Sequence, residues 1–392
     1  MPVEIADWND LDNVRNDLSG DYVLVNDLDS ETNGYAGIGD DFEPIGFVSG
    51  NRGGDPFSGV LDGDGFQISD LVIEENDSTE GGVGFITQVG NGGLVENLSV
   101  DGTVDSTIDD FFYGGLAASV ARDGTGTIEK CVSHIDVTSD VGSDFGGLVG
   151  RNEDTVTNSY ATGSIAGDTD VGGLVGQNQD TVTDSYASGS VEGDSVVGGL
   201  VGRNNDTVTD SYATGSIGGD DRVGGLVGDN GGTVTDSYWD TETTGQSTSE
   251  GGTGLTTDEM QGSEAETNMD GFDFTDVWDT VLESDDDTTA DGYPILIGLD
   301  RENQLDAQGI LLPTVDITGQ ITLDGTGVET ADVIAFNLTN NEFGGKTETD
   351  AQGNYNLTVG GTEEGTGDTI TIGVDFDDGT ERYGRLVTTV LE

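Results

Sequence analysis

Cysteine and histidine are the residues best suited to nucleophilic or general-base chemistry near neutral pH, and each occurs once in this chain of 392 residues, as Cys131 and His134. A His-Glu-x-x-His metallopeptidase needs two histidines on one helix face, and a Ser-His-Asp or Cys-His relay needs a histidine facing an activated nucleophile. A single histidine inside a strand-forming stretch, with no Gly-x-Ser-x-Gly elbow in the chain, supplies neither. One cysteine excludes an intramolecular disulfide and a cysteine zinc cluster. Carboxylates are abundant, 78 Asp and Glu against 11 Lys and Arg, and a glycosidase needs only two of them at a fixed separation. Where aspartate is everywhere, however, finding a pair has no diagnostic weight. No catalytic residue, metal ligand or cofactor site is therefore assigned. The remaining candidates are Tyr160, Tyr186, Tyr212 and Tyr238, each 26 residues after the last. Facing outward they would form an aromatic stripe able to meet sugar faces or a neighbouring subunit. Facing inward they would be core. Alternation counted from Val182 puts Tyr186 inside, whereas counting back from Val191 through Ala187 puts it outside, so an unplaced corner decides.

The tyrosines belong to a sentence written four times. Gly146-Gly147-Leu148-Val149-Gly150 recurs from Gly172, Gly198 and Gly224, and an asparagine follows each time, at Asn152, Asn178, Asn204 and Asn230. A fixed period marks a stacked array. Val, Ile, Thr and Tyr fill the runs, turn residues separate them, and glycine is too frequent for a helical repeat. Three strands and three corners in each period predict one coil of a right-handed parallel β-helix. Equivalent residues would then stack about 4.8 Å apart. Leu148, Leu174, Leu200 and Leu226 are expected as an inward ladder. The asparagines are expected as a corner ladder, since Asn tolerates the left-handed conformation and its amide can bond the next coil. Leu148 and Val149 are adjacent and should face opposite ways in a strand, which predicts an outward apolar row able to bury against another chain. Arg151 and Arg203 beside these rows read as surface counter-charges.

These residues resemble the Glug repeat of bacterial and archaeal surface proteins, most clearly in Gly-Gly-Leu-Val-Gly followed by Thr-Val-Thr-Asp-Ser-Tyr-Ala-Thr-Gly-Ser. Upstream, Leu24 to Asp29, Pro44-Ile45-Gly46 and Phe57 to Gly63 are similar to the segment that leads into such repeats. The likeness covers roughly residues 1 to 300 and implies architecture rather than reaction, because the repeat occurs in adhesins and in IgA-cleaving metallopeptidases alike. Lyases of this fold tend to use Lys or Arg bases, and basic residues are scarce near the coils: Arg122, Arg151, Arg203 and Arg222. From Pro313, alternating strands with Gly319-Gln320-Ile321, Ala331-Asp332-Val333 and Thr349 to Tyr355 resemble a carboxypeptidase regulatory-like domain, which implies a spacer or attachment module.

Four segments are predicted: a capping helix in 1–20, the β-helix in 21–240, a closing segment in 241–312 and a small Ig-like β-sandwich in 313–392. In the cap, Asp7 is the expected N-cap, with Trp8, Leu11, Val14 and Leu18 on one face. Thr127 to Val132 aligns with Thr155 to Tyr160 at a 28-residue offset, putting Cys131 in a serine position and His134 opposite Thr162. Phe272 to Leu282 and Tyr293 to Leu296 are expected to pack over the last coil, and the acidic Ser284–Asp291 to be a solvated loop.

The net charge of −67 with two lysines predicts a surface adapted to multimolar salt, where charges are screened within about 3 Å at 1 M. It argues against nucleic acid and anionic membranes as partners. The N-terminus shows no basic and apolar leader, and no run is long enough to insert in a membrane. A rigid, acidic rod without a visible leader predicts a non-enzymatic virion surface protein of a halophilic archaeal virus, a tail-fibre, spike or turret component mediating host attachment. The alternatives are a haloarchaeal cell-surface adhesin or wall protein and, third, a polysaccharide-degrading β-helix. Expected partners are other virion or surface subunits, further copies of the chain, and a host glycan or glycoprotein.

Overall fold

The computed structural model describes residues 1–46, 55–75, 82–107, 112–121, 124–282 and 290–310, and the backbone of strands between 314 and 390. The chain divides into two units, Met1–Thr280 with Tyr293–Arg301 and Val281–Gly292 with Glu302–Glu392.

The first unit is a parallel β-helix. Each period lays down four short strands, as in Thr181–Thr183, Tyr186–Ala187, Val191–Gly198 and Val201–Asn204. Stacking them generates three faces. A threonine face has nine strands among the described residues, an asparagine face six, and a tyrosine face takes two strands from each coil. Register is kept residue for residue: Thr181 pairs with Thr207, Tyr186 with Tyr212, Val191 with Ile217 and Val201 with Val227.

The strand boundaries differ from the three expected. Val171 to Val175 is not one strand but straddles a corner, with Gly172 ending one strand and Val175 opening the next. Leu174 sits at that bend. Reorientation there lets neighbouring residues point the same way, so Leu148 and Val149 are both fully buried in one core, as are Leu174 and Val175. The inward leucine ladder is present; the predicted outward apolar row is not.

The asparagine ladder forms, on a different backbone from the expected one. Asn178 ends a strand, and its Nδ2 donates to the Asp180 carbonyl at 2.9 Å, to Asn204 Oδ1 at 2.9 Å and to the Thr207 carbonyl at 3.0 Å. One left-handed position of the coil falls instead at Asn158, Asp184, Asp210 and Asp236, with φ between 45° and 48°, and a second at Asp144, Asp170, Val196 and Arg222, with φ between 48° and 58°. Asn and Asp accept that conformation at lower cost than other side chains. Glycine appears where coils touch backbone to backbone: a Cβ on Gly189 would lie 1.9 Å from the Gly163 carbonyl oxygen.

The degenerate coils keep the register expected of them. Thr127 pairs with Thr155, Val132 with Tyr160 and Ile128 with Val95. At the N-terminal end, Val3–Ile5 is a strand paired with Asp21–Leu24, not part of a helix. The helix is short, Trp8–Asn13, followed by one 3-10 turn over Val14–Asn16. Asp7 caps it by accepting from the amides of Asn9 and Asp10. Trp8, Leu11 and Val14 are fully buried and Leu18 partly so. At the other end, the turns after Asp240 cover the last coil: the amides of Leu226 and Val227 donate to Ser249 Oγ, and Thr253–Leu255 pairs with Tyr238–Asp240.

In the second unit the strands are antiparallel. Thr314–Gln320 pairs with Asn354–Gly360, and Glu342–Glu348, Asp332–Asn337, Thr369–Asp377 and Arg382–Val390 form a four-stranded sheet in that order. Most of the predicted acidic loop and Arg122 lie outside the described residues.

Candidate functional site

The tyrosine ladder is outward-facing and buried at once. Its rings leave the coil on the side away from the main core, in parallel register: Tyr160 and Tyr186 have centroids 4.6 Å apart at 5°, Tyr186 and Tyr212 4.9 Å apart at 4°. This spacing is imposed by the separation of hydrogen-bonded strands. Yet Tyr160, Tyr186, Tyr212 and Tyr238 are only 1, 2, 1 and 4% exposed. They make a second core with Met260, Met269, Phe272, Trp278, Tyr293 and Leu296. Phe272, Trp278, Tyr293 and Leu296 therefore lie along the tyrosine face, not over the last coil as expected. Trp278 packs 5.6 Å from Tyr212, and Phe272 stacks on Trp278 at 4.5 Å. Tyr212 Oη donates to the Pro294 carbonyl at 2.7 Å. Burial pushes the Tyr186 and Tyr212 phenols well above their ordinary range, so the rings are neutral packing elements. A stripe on which sugars could stack is not presented.

One buried carboxylate fastens this cover. Asp240, fully buried, accepts from Tyr293 Oη at 2.6 Å, from Thr257 Oγ1 at 2.7 Å and from the amides of Glu242 and Thr243. The helix Thr257–Met260 begins beside it with a Thr256–Glu259 capping box. The trace of this fastening in the sequence is Tyr-Trp-Asp at 238–240, where the other copies read Tyr-Ala-Thr or Tyr-Ala-Ser; sequence reasoning passed over it.

A charged ladder runs beside the asparagine face. Arg203 clamps Asp170 through Nε and Nη2, both at 2.9 Å, and reaches Asp229 through Nη1 at 2.9 Å. It spans three coils and is a staple rather than a free surface charge. Arg151 pairs with Glu153 at 2.7 Å and lies 3.9 Å from Asp144. Burial, with Asp170 close by, raises the Asp144 carboxyl to about 7. Asp144 and Asp170 are 4 and 6% exposed, so this carboxylate pair cannot touch a polysaccharide. Cys131 is buried, takes the serine position of its coil and has its thiol pushed up to about 12. His134 contacts Thr162 and meets Tyr160 edge-on. Among the described residues no group of three or more His, Cys, Asp or Glu could hold a metal ion, and no helix is long and apolar enough to cross a membrane.

The family described as the GLUG motif matches residues 142–166, 167–192 and 193–218. The three GLUG motifs are consecutive and together cover residues 142–218. Each spans one of the coils described above, and the matched residues end before the fourth copy. The chain is also 32% identical over 147 residues to halomucin of Haloquadratum walsbyi. That stretch is 38% of this chain but about 1% of halomucin. No solved structure matches the chain.

Proposed function

We propose that this chain is a non-enzymatic structural module of a haloarchaeal cell surface, working in contact with concentrated brine. The observation that carries it is how the GLUG coils are finished. Both apolar rows of the repeat and its aromatic stripe are closed within the first unit, while an excess of carboxylates faces solvent. The large hydrophobic side chains left exposed among the described residues are few: Met1, Val3, Val25 and Ile297. Such a body suits a spacer or wall element that stays soluble in salt. The likeness to halomucin supports a cell surface over a virus particle. A tail-fibre, spike or turret role rests on the repeat architecture alone.

Mass spectrometry of washed envelopes, culture medium and purified virus particles from the producing organism tests this. The expected result is recovery in the envelope or medium; enrichment in particles would replace the cellular reading with the viral one. Turnover of exopolysaccharide by the purified chain would overturn the non-enzymatic part. Self-association and contact with host glycans or glycoproteins belong to the same proposal, and sedimentation in multimolar KCl checks the first.

A further inference from the structure

The corner that links the asparagine and threonine faces has the same shape in each coil and a different leading residue: Glu153-Asp154-Thr155, Gln179-Asp180-Thr181, Asn205-Asp206-Thr207 and Gly231-Gly232-Thr233. In two of these the leading side chain is engaged. Glu153 pairs with Arg151 at 2.7 Å and Gln179 bonds Gln177 at 2.6 Å. Asn205 is exposed, and among the described residues its side-chain amide makes no hydrogen bond, because the neighbouring Arg203 is already held by Asp170 and Asp229. The backbone beneath it is held: the Asn205 amide donates to the Asn178 carbonyl at 2.8 Å and the Thr207 amide to the Asp180 carbonyl at 2.9 Å. Asn-Asp-Thr is the Asn-x-Ser/Thr acceptor pattern, which belongs on surface turns of exported chains.

A second such pattern shows what an unusable one looks like. In Asn97-Leu98-Ser99, Asn97 is half-buried, its Nδ2 donates to Asp62 Oδ1 at 3.1 Å, Leu98 is 1% exposed and the Ser99 hydroxyl is enclosed. Asn356-Leu357-Thr358 lies inside the strand Asn354–Gly360. The patterns at Asn76 and Asn337 fall wholly or partly outside the described residues.

We infer that Asn205 is an N-glycan acceptor: a free side-chain amide on a backbone-held corner, two residues ahead of a half-buried threonine whose Oγ1 donates only to the neighbouring Asp206 Oδ1, at 2.9 Å. The co-reactant is a glycosyl phosphate donor. The Asn205 amide nitrogen bonds to the anomeric carbon, the carbon–oxygen bond to phosphate breaks, the phosphate leaves with that electron pair, and the amide gives up one proton. The inference rests on the surface reading, because the donor acts on exported chains.

The full chain, expressed in a haloarchaeon with an added export leader and recovered outside the cell, tests the acceptor independently of where the native protein resides. Trypsin cutting after Arg203 and Arg222 isolates residues 204–222, which hold this one acceptor pattern. Electron-transfer fragmentation should place a glycan mass on Asn205 in most molecules. Asn205→Gln and Thr207→Ala should abolish it and Thr207→Ser retain it, while site-localised fragmentation of the tryptic peptide 53–122, which also holds the Asn76 pattern, should find Asn97 itself unmodified. Melting curves in multimolar KCl confirm that the variants fold. Unmodified Asn205 in the exported chain, or sugar confined to Thr207, overturns the inference. Fractionation of the native producer addresses the surface reading separately.

Discussion

At the scale of single residues, the ladders distribute stability unevenly. Leu200 is fully buried, with coils above and below. Leu200→Asp is expected to cost several kcal/mol even after the new carboxyl protonates, whereas Asp206→Asn at an exposed corner should shift stability by less than about 0.5 kcal/mol. Denaturant melts in multimolar KCl compare the two. Asn178→Ala removes three donated bonds, to the Asp180 and Thr207 carbonyls and Asn204 Oδ1, and the bond that Asn178 Oδ1 accepts from Asn152 at 2.8 Å. With about 1–3 kcal/mol for each buried group left unpaired, a loss of at least about 3 kcal/mol is expected. Asp144 sets a pH dependence. The folded state keeps its proton up to about pH 7, and the unfolded chain releases it near pH 4. In that window the folded form binds more protons, so stability falls as pH rises. Asp144→Asn should flatten this slope and stabilise the protein above pH 7 by roughly 2–4 kcal/mol; urea midpoints between pH 4 and 8 measure it.

At the scale of elements, the closing segment and the coils have separate cores, so one can fail without the other. Trp278 is fully buried against Tyr186, Tyr212 and Phe272. Trp278→Ala should cost about 3–5 kcal/mol locally and free the segment from the tyrosine face. Hydrogen exchange should then show lost protection across 256–280, with the strands from Thr155 to Asn230 still protected. Loss of protection in both together would mean that the aromatic cover is integral to the helix. This division also explains why alternation could not place the tyrosines. The corner between Tyr186–Ala187 and Val191–Gly198 puts two strands of each coil on one face, so counts from either side disagree.

For the whole molecule, a net charge of −67 opposes compaction wherever it is unscreened. Few arginines are positioned to offset it: Arg203 is spent within the array, and Arg151 lies between Asp144 and Glu153. Since the screening length grows from about 3 Å at 1 M to about 10 Å at 0.1 M salt, the melting transition should drop steeply as KCl is diluted below molar. Circular dichroism melts across a KCl series check this. A transition unmoved by dilution would remove the case for adaptation to brine.

The 26-residue period, the inward leucines, the asparagine ladder and the aligned positions of Cys131 and His134 were legible in the sequence, because a parallel coil converts sequence period directly into stacking register. The acidic composition was equally legible and bears on solvent, not on fold. What the sequence could not convey is which way side chains turn at corners, since a bend between Leu148 and Val149 cancels the alternation that strands impose. Nor does it show that Tyr160, Tyr186, Tyr212 and Tyr238 are an outer face covered from within. That cover comes from Phe272, Trp278 and Tyr293, fastened by Asp240, and contacts that join the array to a segment outside the repeat leave no period to read. Only the tertiary packing turned an apparent ligand-binding stripe into core.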